Sequence, residues 1–366
     1  MKNKKLIKVI TTALIIAMLI TPVGYAENEK RAGYTIDGYP LMSKEALTED
    51  IEVIKAHLYQ PSADTNSTTS LSSSVDLSAS FPAPEQKGQG KQGSCTAWAV
   101  AYAASSREEK MKWKWSSYSR NHCFSPAFVF NSIPDNENGI GVSEALQFVV
   151  SNGVCSLVIM DYKEGSTVAP NSRQRKVASY FKARSWNTIT GTNAVKDALA
   201  KGHGVVFAFI VPENYSETNY VTYGNEKLSE DGHAVCIVGY DDNRYGGAFK
   251  YLNSYGPRWG DNGYGWITYS AFNSVSVNFY GGGIGYVLNQ GTNKDLKNNM
   301  GDVDFNGSVT AADARLILRY SSRLETYTDE QFVRSDVDGD GVISSSDSQF
   351  VLRYSSNLET EFPYFR

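Results

Sequence analysis

The chain has 366 residues, enough for two or three domains with well-buried cores. Its formal net charge of −4 supplies no basic footprint for nucleic acid. Four cysteines, Cys95, Cys123, Cys155 and Cys236, are too few for a dense disulfide framework, so stability must come from an ordinary core; the spacing allows a Cys123–Cys155 bridge without deciding it.

Residues 1–26 have the layout of an export signal: basic Lys2, Lys4 and Lys5, an apolar run from Leu6 to Ile20 broken by Lys8 and two threonines, then small Gly24 and Ala26 placed for cleavage. The run is short of the roughly 20 residues a membrane span needs, so an exported chain starting at Glu27 without membrane attachment is expected. Residues 27–74 follow as a pre-segment. In it "SKEALTEDIEVIKAHL" carries Leu47, Ile51, Ile54 and Leu58 at helical spacing, and the polar run Pro61 to Ser74 reads as a flexible linker.

From Val75 to Leu288 helical patterns come first, around Ala97 to Arg107 and Ser143 to Ser151. Strand-like runs come later: "GVVFAFIV" from Gly204, "HAVCIVGY" from His233 and "GWITYS" from Gly265. Segregation of the two along the chain predicts an α+β fold. A polar connector over residues 289–298 then leads into a tail, residues 299–366. The part from Gly301 onward holds 12 acids and 6 bases, a local charge of −6.

The tail repeats itself. Asp302 to Glu325 and Asp336 to Glu359 match at an offset of 336 − 302 = 34 residues, with "LRYSS" common to both. In the first copy Asp302, Asp304, Asn306 and Asp313 fall at loop positions 1, 3, 5 and 12, and in the second Asp336, Asp338, Asp340 and Asp347 do so. Gly307 and Gly341 at position 6 permit a sharp turn, and the carbonyls of Ser308 and Val342 at position 7 complete an oxygen set of the kind Ca²⁺ takes. Each loop runs into an apolar helix pattern, whereas an EF-hand would have Glu at position 12 and a helix before the loop.

This combination resembles the type I dockerin, a small all-α module of two loop-plus-helix units. The resemblance covers roughly Asn299 to Arg366 and implies two Ca²⁺ ions and docking onto a cohesin domain of a cellulosome scaffoldin. Carried over by position, the partner-reading residues are Ala311, Ala312 and Arg319 in one copy and Ser345, Ser346 and Arg353 in the other.

Cys95 stands where "TAWAVAYAASSR" begins a helix pattern, so its sulfur falls near a helix N-terminus, where free amides and the helix dipole favour a thiolate. Cys236, inside the apolar run "HAVCIVGY", reads instead as a small buried hydrophobe. Four histidines are candidates for a base. Of these only His233 has a companion: Asn253 lies 253 − 233 = 20 residues on, where a hairpin return would let its carbonyl fix the ring's tautomer.

These segments are similar to the papain-like cysteine peptidases. "QGKQGSCTAW" parallels the nucleophile segment, "DGHAVCIVGYDD" the histidine strand and "LNSYGPRWGDNGYGW" the asparagine segment, across roughly Val75 to Leu288. The resemblance implies a helical left domain, a barrel-like right domain, a polypeptide substrate in the cleft between them and no cofactor for catalysis. It assigns Cys95 as nucleophile, His233 as its base, Asn253 as orienting residue and Gln89 as oxyanion donor, with Trp259 shielding the His233–Asn253 contact. Three departures stand out: Thr96 and Tyr255 replace tryptophans, and Gln92 replaces a cysteine. The pre-segment lacks an evident inhibitory helix pattern, which leaves open whether it gates the site. Together the two resemblances predict a secreted, extracellular, cellulosome-associated endopeptidase. A catalytically silent binding protein and a thioester acyltransferase are the rivals on the same scaffold.

Overall fold

The computed structural model describes residues 35–36, 39–42, 51–58, 71–274, 277, 282–289, 291 and 294–366. The export-signal segment and most of the pre-segment lie outside the described residues.

The central element of the first half is a helix over residues 95–113. Cys95–Ala97 and Ser106–Trp113 are α-helical, and Trp98–Ser105 between them is π-helical. Its middle, "WAVAYAAS", is apolar or small at every position and buried at every position, as a helix without a polar face must be. It ends at Lys114, which takes a left-handed φ of 60° and donates its N–H to the Lys110 carbonyl. Shorter helices, Pro126–Phe130, Val142–Asn152 and Ser172–Ala178, contribute to the same core.

The second half is a sheet. Apart from a small hairpin of β1 (Thr35–Ile36) and β2 (Tyr39–Pro40), the strands are β3 (Ser74–Asp76), β4 (Ser185–Thr190), β5 (Val205–Pro212), β6 (Val221–Thr222), β7 (Leu228–Asp241), β8 (Ala248–Leu252), β9 (Tyr264–Thr268) and β10 (Ile284–Asn289). They pair in the order β4-β10-β5-β7-β8-β9-β6, with β3 added alongside β7. The expected barrel-like half is therefore an open sheet with β4 and β6 at its edges, kinked by register shifts at Ile210/Pro212 and Ile237/Gly239.

Alternation along the two central strands divides the core in two. Val206 and Ala208 of β5 and Ala234, Cys236 and Val238 of β7 join the cluster that holds the central helix. Val205, Phe207, Phe209 and Val211, with Val235 and Ile237, face a second cluster on the other side. This is why both strands read as unbroken apolar runs rather than as alternating ones. Cys236 packs as the expected small hydrophobe, and all four cysteines are free thiols, so Cys123 and Cys155 do not pair.

The tail holds three helices, Ala311–Ser321, Asp329–Ser335 and Ser345–Ser355, each opened by a capping box, at Thr310/Asp313, Thr328/Gln331 and Ser344/Asp347. Two features differ from the sequence reading. The polar connector carries a helix, Lys294–Asn299, because Leu296 and Met300, one turn apart, are both buried. The tail also shares a core with the first half rather than standing off on a linker. Trp115 Nε1 donates to the Tyr364 carbonyl at 3.0 Å, Asn121 Nδ2 to the Asp338 carbonyl at 3.0 Å, and Lys176 pairs with Glu330 at 2.6 Å. Tyr364 and Phe365, three residues or fewer from the C-terminus, are buried in that seam. Among the described residues no helix is long and apolar enough to cross a membrane.

Candidate active site

The start of the central helix, β7 and the loop after β8 meet at one corner. The β7–β8 register pairs Cys236 with Leu252 and Ile237 with Tyr251. Each pair sums to 488, so continuing the ladder by three residues sets position 255 opposite 233 and carries the asparagine segment past the histidine. His233 Nε2 and Asn253 Oδ1 are 2.7 Å apart. The amide is itself held: Asn253 Oδ1 accepts from the Ser254 N–H at 2.8 Å, and Asn253 Nδ2 donates to Tyr215 Oη at 3.3 Å. Because Oδ1 can only accept, Nε2 carries the proton of the neutral ring.

Cys95 opens the helix, and its sulfur faces the main chain of Ala234, the residue after His233. Gln89 is placed by its glycine neighbours. Gly88 takes a φ of +56°, and a Cβ there would fall 2.3 Å from the Ser254 carbonyl. That close approach lets Gln89 N–H donate to the Ser254 carbonyl at 2.8 Å, while Ser254 Oγ donates to Gln89 Oε1 at 2.5 Å. Gln89 Nε2 donates to the Gln92 carbonyl at 2.8 Å, and Tyr162 Oη donates to the Gln89 carbonyl at 2.9 Å. Gln92, at the place of a cysteine, instead takes part in this polar network.

Cys95, His233 and Gln89 are fully buried, and Asn253 is 4 % exposed. Part of the cover is the pre-segment. Met42 N–H donates to the Gly232 carbonyl at 2.9 Å and Gly232 N–H to the Met42 carbonyl at 3.0 Å, an antiparallel bridge next to His233. Thr96 Oγ1 lies 3.1 Å from Met42 Sδ, and Met42 is fully buried in the cluster that contains Cys95. Burial pushes the Cys95 thiol up to about 12, against the opposing pull of the Ala234 and Thr96 amides. Burial also pushes His233 down to about 4, only partly offset by Asn253. The covered site thus holds a neutral thiol and a neutral imidazole, not the thiolate expected from the helix terminus: desolvation outweighs the dipole.

The sign of the pH effect follows. If opening the site returns His233 to its ordinary value of 6.5, the open form binds more protons below that pH, and the covered form loses stability as pH falls from 6.5 towards 4. The full shift of 6.5 − 4 corresponds to on the order of 3 kcal/mol at most. Hydrogen-exchange protection of the Met42 and Gly232 amides is expected to fall over this window. Constant protection would show that the imidazole is not what holds the strand down.

Trp259 is fully buried but stands behind the site. The rings against the imidazole are Tyr255, stacked at 4.7 Å, Tyr215 at 6.0 Å and Phe209 at 6.2 Å, and Trp259 packs on Tyr215 and Tyr255. Sequence reasoning noted Tyr255 only as a departure and missed Met42, Tyr162, Tyr215 and Ser254. Ser254, next to Asn253, was the one with a readable signal.

In the tail, the carboxylates of Asp302, Asp304 and Asp313 lie within 4.8 Å of one another, and so do those of Asp336, Asp338 and Asp340. Gly307 and Gly341 take φ of +83° and +80°, the conformation the sharp loop turn requires. Asp336 Oδ1 is buried without a hydrogen-bond partner. Burial, then the charges of Asp347, Asp338 and Asp340, push the Asp336 carboxyl well above the usual range. An orphaned buried oxygen among like charges is what a bound cation relieves, so these residues fit Ca²⁺. Asp347 lies outside the second triad, capping its own helix through Val337 N–H at 3.0 Å and Ser344 N–H at 2.9 Å, as Asp313 does for Val303 and Thr310. Ala311, Ala312, Arg319, Ser345, Ser346 and Arg353 are all exposed.

A buried Cys–His–Asn corner between a central helix and an open sheet defines the papain class of fold. The papain family cysteine protease model matches residues 71–279 and the dockerin type I model residues 300–354. The chain belongs to the papain family of cysteine proteases and carries a dockerin domain. Among curated proteins it is 30% identical to a peptidase C1-like protein of Acanthamoeba polyphaga mimivirus over 48% of this chain and 61% of that one. It is 28% identical to the cathepsin B-like CP3 of Giardia intestinalis over 55% and 70%. It therefore spans about three fifths of the mimivirus protein's length. In fold it is similar to xylellain, a cysteine protease of Xylella fastidiosa, at TM-score 0.55 and 24% identity, covering 69% of this chain and 96% of that one. Procathepsin L2 of Tenebrio molitor gives 0.52 and 20%, over 69% and 84%.

Proposed function

We propose that this chain is an exported cysteine endopeptidase that attaches to a cellulosome through its dockerin. The observation that carries the reading is the 2.7 Å contact between His233 Nε2 and Asn253 Oδ1, which leaves Nδ1 as the nitrogen able to take a proton from Cys95. Once the cleft is open to water and substrate, the Cys95 proton moves to Nδ1 and the thiolate attacks the scissile carbonyl carbon. The C–N bond then breaks as the imidazolium returns its proton to the departing amine. Water, deprotonated by the same imidazole, hydrolyses the resulting thioester. Gln89 has one amide proton bonded to the Gln92 carbonyl. The other, with the Cys95 backbone N–H, would hold the oxyanion, a contribution of about 2.7 to 4 kcal/mol per donor. Asn253 keeps the ring in the productive tautomer, and no cofactor enters the chemistry.

The organisation that goes with this reading is an export signal over 1–26, a pre-segment over 27–74, the peptidase over 75–288, a connector over 289–298 and the dockerin over 299–366. Two Ca²⁺ ions would be held by the Asp302–Asp313 and Asp336–Asp347 loops, the latter with Asp338, Asp340 and the Val342 carbonyl, the former with Asp304, Asn306 and the Ser308 carbonyl. They would fix the loops from which the exposed positions meet a cohesin.

The test is incubation with a peptidyl epoxide and, separately, a peptide library under reducing conditions. Labelling at Cys95 with hydrolysis products supports the reading. Absence of labelling after the site has been opened supports a silent binding protein, and products carrying an added amine in place of water support an acyltransferase.

The pre-segment contact makes a further prediction. Met42→Asp places a charge in a dry pocket, at a cost of several kcal/mol, so it should release the strand and raise the rate of Cys95 labelling at least about tenfold. An unchanged rate would mean that residues 41–42 do not limit access.

A further inference from the structure

Tyr255 stands where a tryptophan was expected, and it differs from tryptophan in ending on a hydroxyl. That hydroxyl lies 3.2 Å from His233 Nδ1, while its ring stacks on the imidazole at 4.7 Å and 27°. The tautomer decides what the contact is. Asn253 Oδ1 takes the proton-bearing Nε2, so in the neutral ring Nδ1 holds a lone pair and can only accept; Tyr255 O–H donates to it. This is the same lone pair that must receive the Cys95 proton. We propose that the Tyr255 hydroxyl is a positioning group which holds His233 in its neutral form and thereby sets the pH at which Cys95 becomes reactive. The proposal rests on the Cys95/His233 reading of the site.

When Nδ1 gains the thiol proton it becomes a donor, and the Tyr255 O–H can no longer donate to it. Forming the thiolate/imidazolium pair therefore costs this hydrogen bond. The other titratable ring packed on the imidazole is Tyr215, from the loop after β5; the Cys95 thiol, at the start of the central helix, faces the main chain of Ala234, the next residue along β7. Tyr215 Oη is shared with Tyr251 Oη at 3.0 Å and Asn253 Nδ2 at 3.3 Å. The Tyr255 hydroxyl, 3.2 Å from Nδ1, is well placed to bias the proton between sulfur and ring.

The experiment is alkylation of Cys95 by iodoacetamide in the full chain, measured across the acid and neutral range for wild type, Tyr255→Phe and His233→Ala. The Phe variant keeps the ring and its stacking and loses only the hydroxyl. All three are compared in the Met42→Asp background, where the strand at residues 41–42 is already released and its opening does not enter the ratio of rates. Tyr255→Phe should react about two- to tenfold faster near neutral pH, where the thiol/neutral-imidazole form predominates, the range of one net hydrogen bond, with the acid limb of its profile moved to higher pH. A profile that superimposes on wild type, or whose acid limb moves to lower pH, overturns the proposal. If instead His233→Ala matches wild type throughout, the Cys95/His233 reading itself has failed. Should the Phe variant not fold, ¹⁵N-histidine spectra of wild type decide: a neutral His233 with its proton on Nε2 supports the proposal, and a proton on Nδ1 at neutral pH overturns it.

Discussion

Cys95→Ala is expected to abolish peptide cleavage, with kcat/KM falling by at least about 10⁴-fold, while calcium-dependent capture by a cohesin persists. No other thiol shares this setting: Cys123, Cys155 and Cys236 take no part in the hydrogen bonds that join His233, Asn253, Ser254 and Gln89. The substitution removes one sulfur from a fully buried position and leaves Ala, which suits the helix start. None of the six exposed dockerin positions takes part in the polar network around Cys95. Parallel measurement of peptide turnover and of cohesin binding by calorimetry checks both halves. Residual cleavage within tenfold of wild type would remove Cys95 from the chemistry, and loss of cohesin binding as well would show that the site and the tail are not separable.

The second large effect is expected from chelation. At free Ca²⁺ about 1,000 times Kd, each site contributes roughly 4 kcal/mol to the folded state, and the two loops belong to a tail whose core is continuous with that of the peptidase. Val303, Ala314, Ile317 and Val351 lie in the same cluster as Trp115, Phe181 and Cys95. Tyr364 crosses the seam: a Cβ on Gly339 of the second loop would fall 2.2 Å from its ring, and its carbonyl holds Trp115. Removing Ca²⁺ should therefore lower the unfolding temperature of the whole chain by roughly 10 °C, not only that of the tail. Scanning calorimetry with and without a chelator reads this directly. A transition indifferent to the chelator would remove the calcium sites. A small separate transition that moves alone would show that the seam transmits no stability.

Much of the site was open to reading along the chain because its parts are short and local in their logic. Glycine-flanked Gln89, a cysteine at a helix start, a histidine opening an apolar run and an asparagine after the next strand each declare themselves within a dozen residues. The duplicated Asp-x-Asp-x-Asn/Asp-Gly loops declare themselves more strongly, since oxygen ligands at alternate positions around a tight turn converge on a single cation. Helix over residues 97–107 and strands at 205–211, 233–240 and 265–268 follow from the same short-range patterns, which binary burial enforces.

What folding alone decided involves residues far apart in sequence. Met42 lies across from Gly232, Tyr162 under Gln89 and Tyr364 against Trp115, and no periodicity records such meetings. The protonation of the site belongs here too. A helix terminus by itself argues for a thiolate, but the sign is set by how much water remains, and water is excluded by side chains and a strand brought from elsewhere in the chain. Local sequence thus marked the candidate reacting groups, while long-range packing chose their charge, because desolvation is a property of the assembled neighbourhood and not of any one segment.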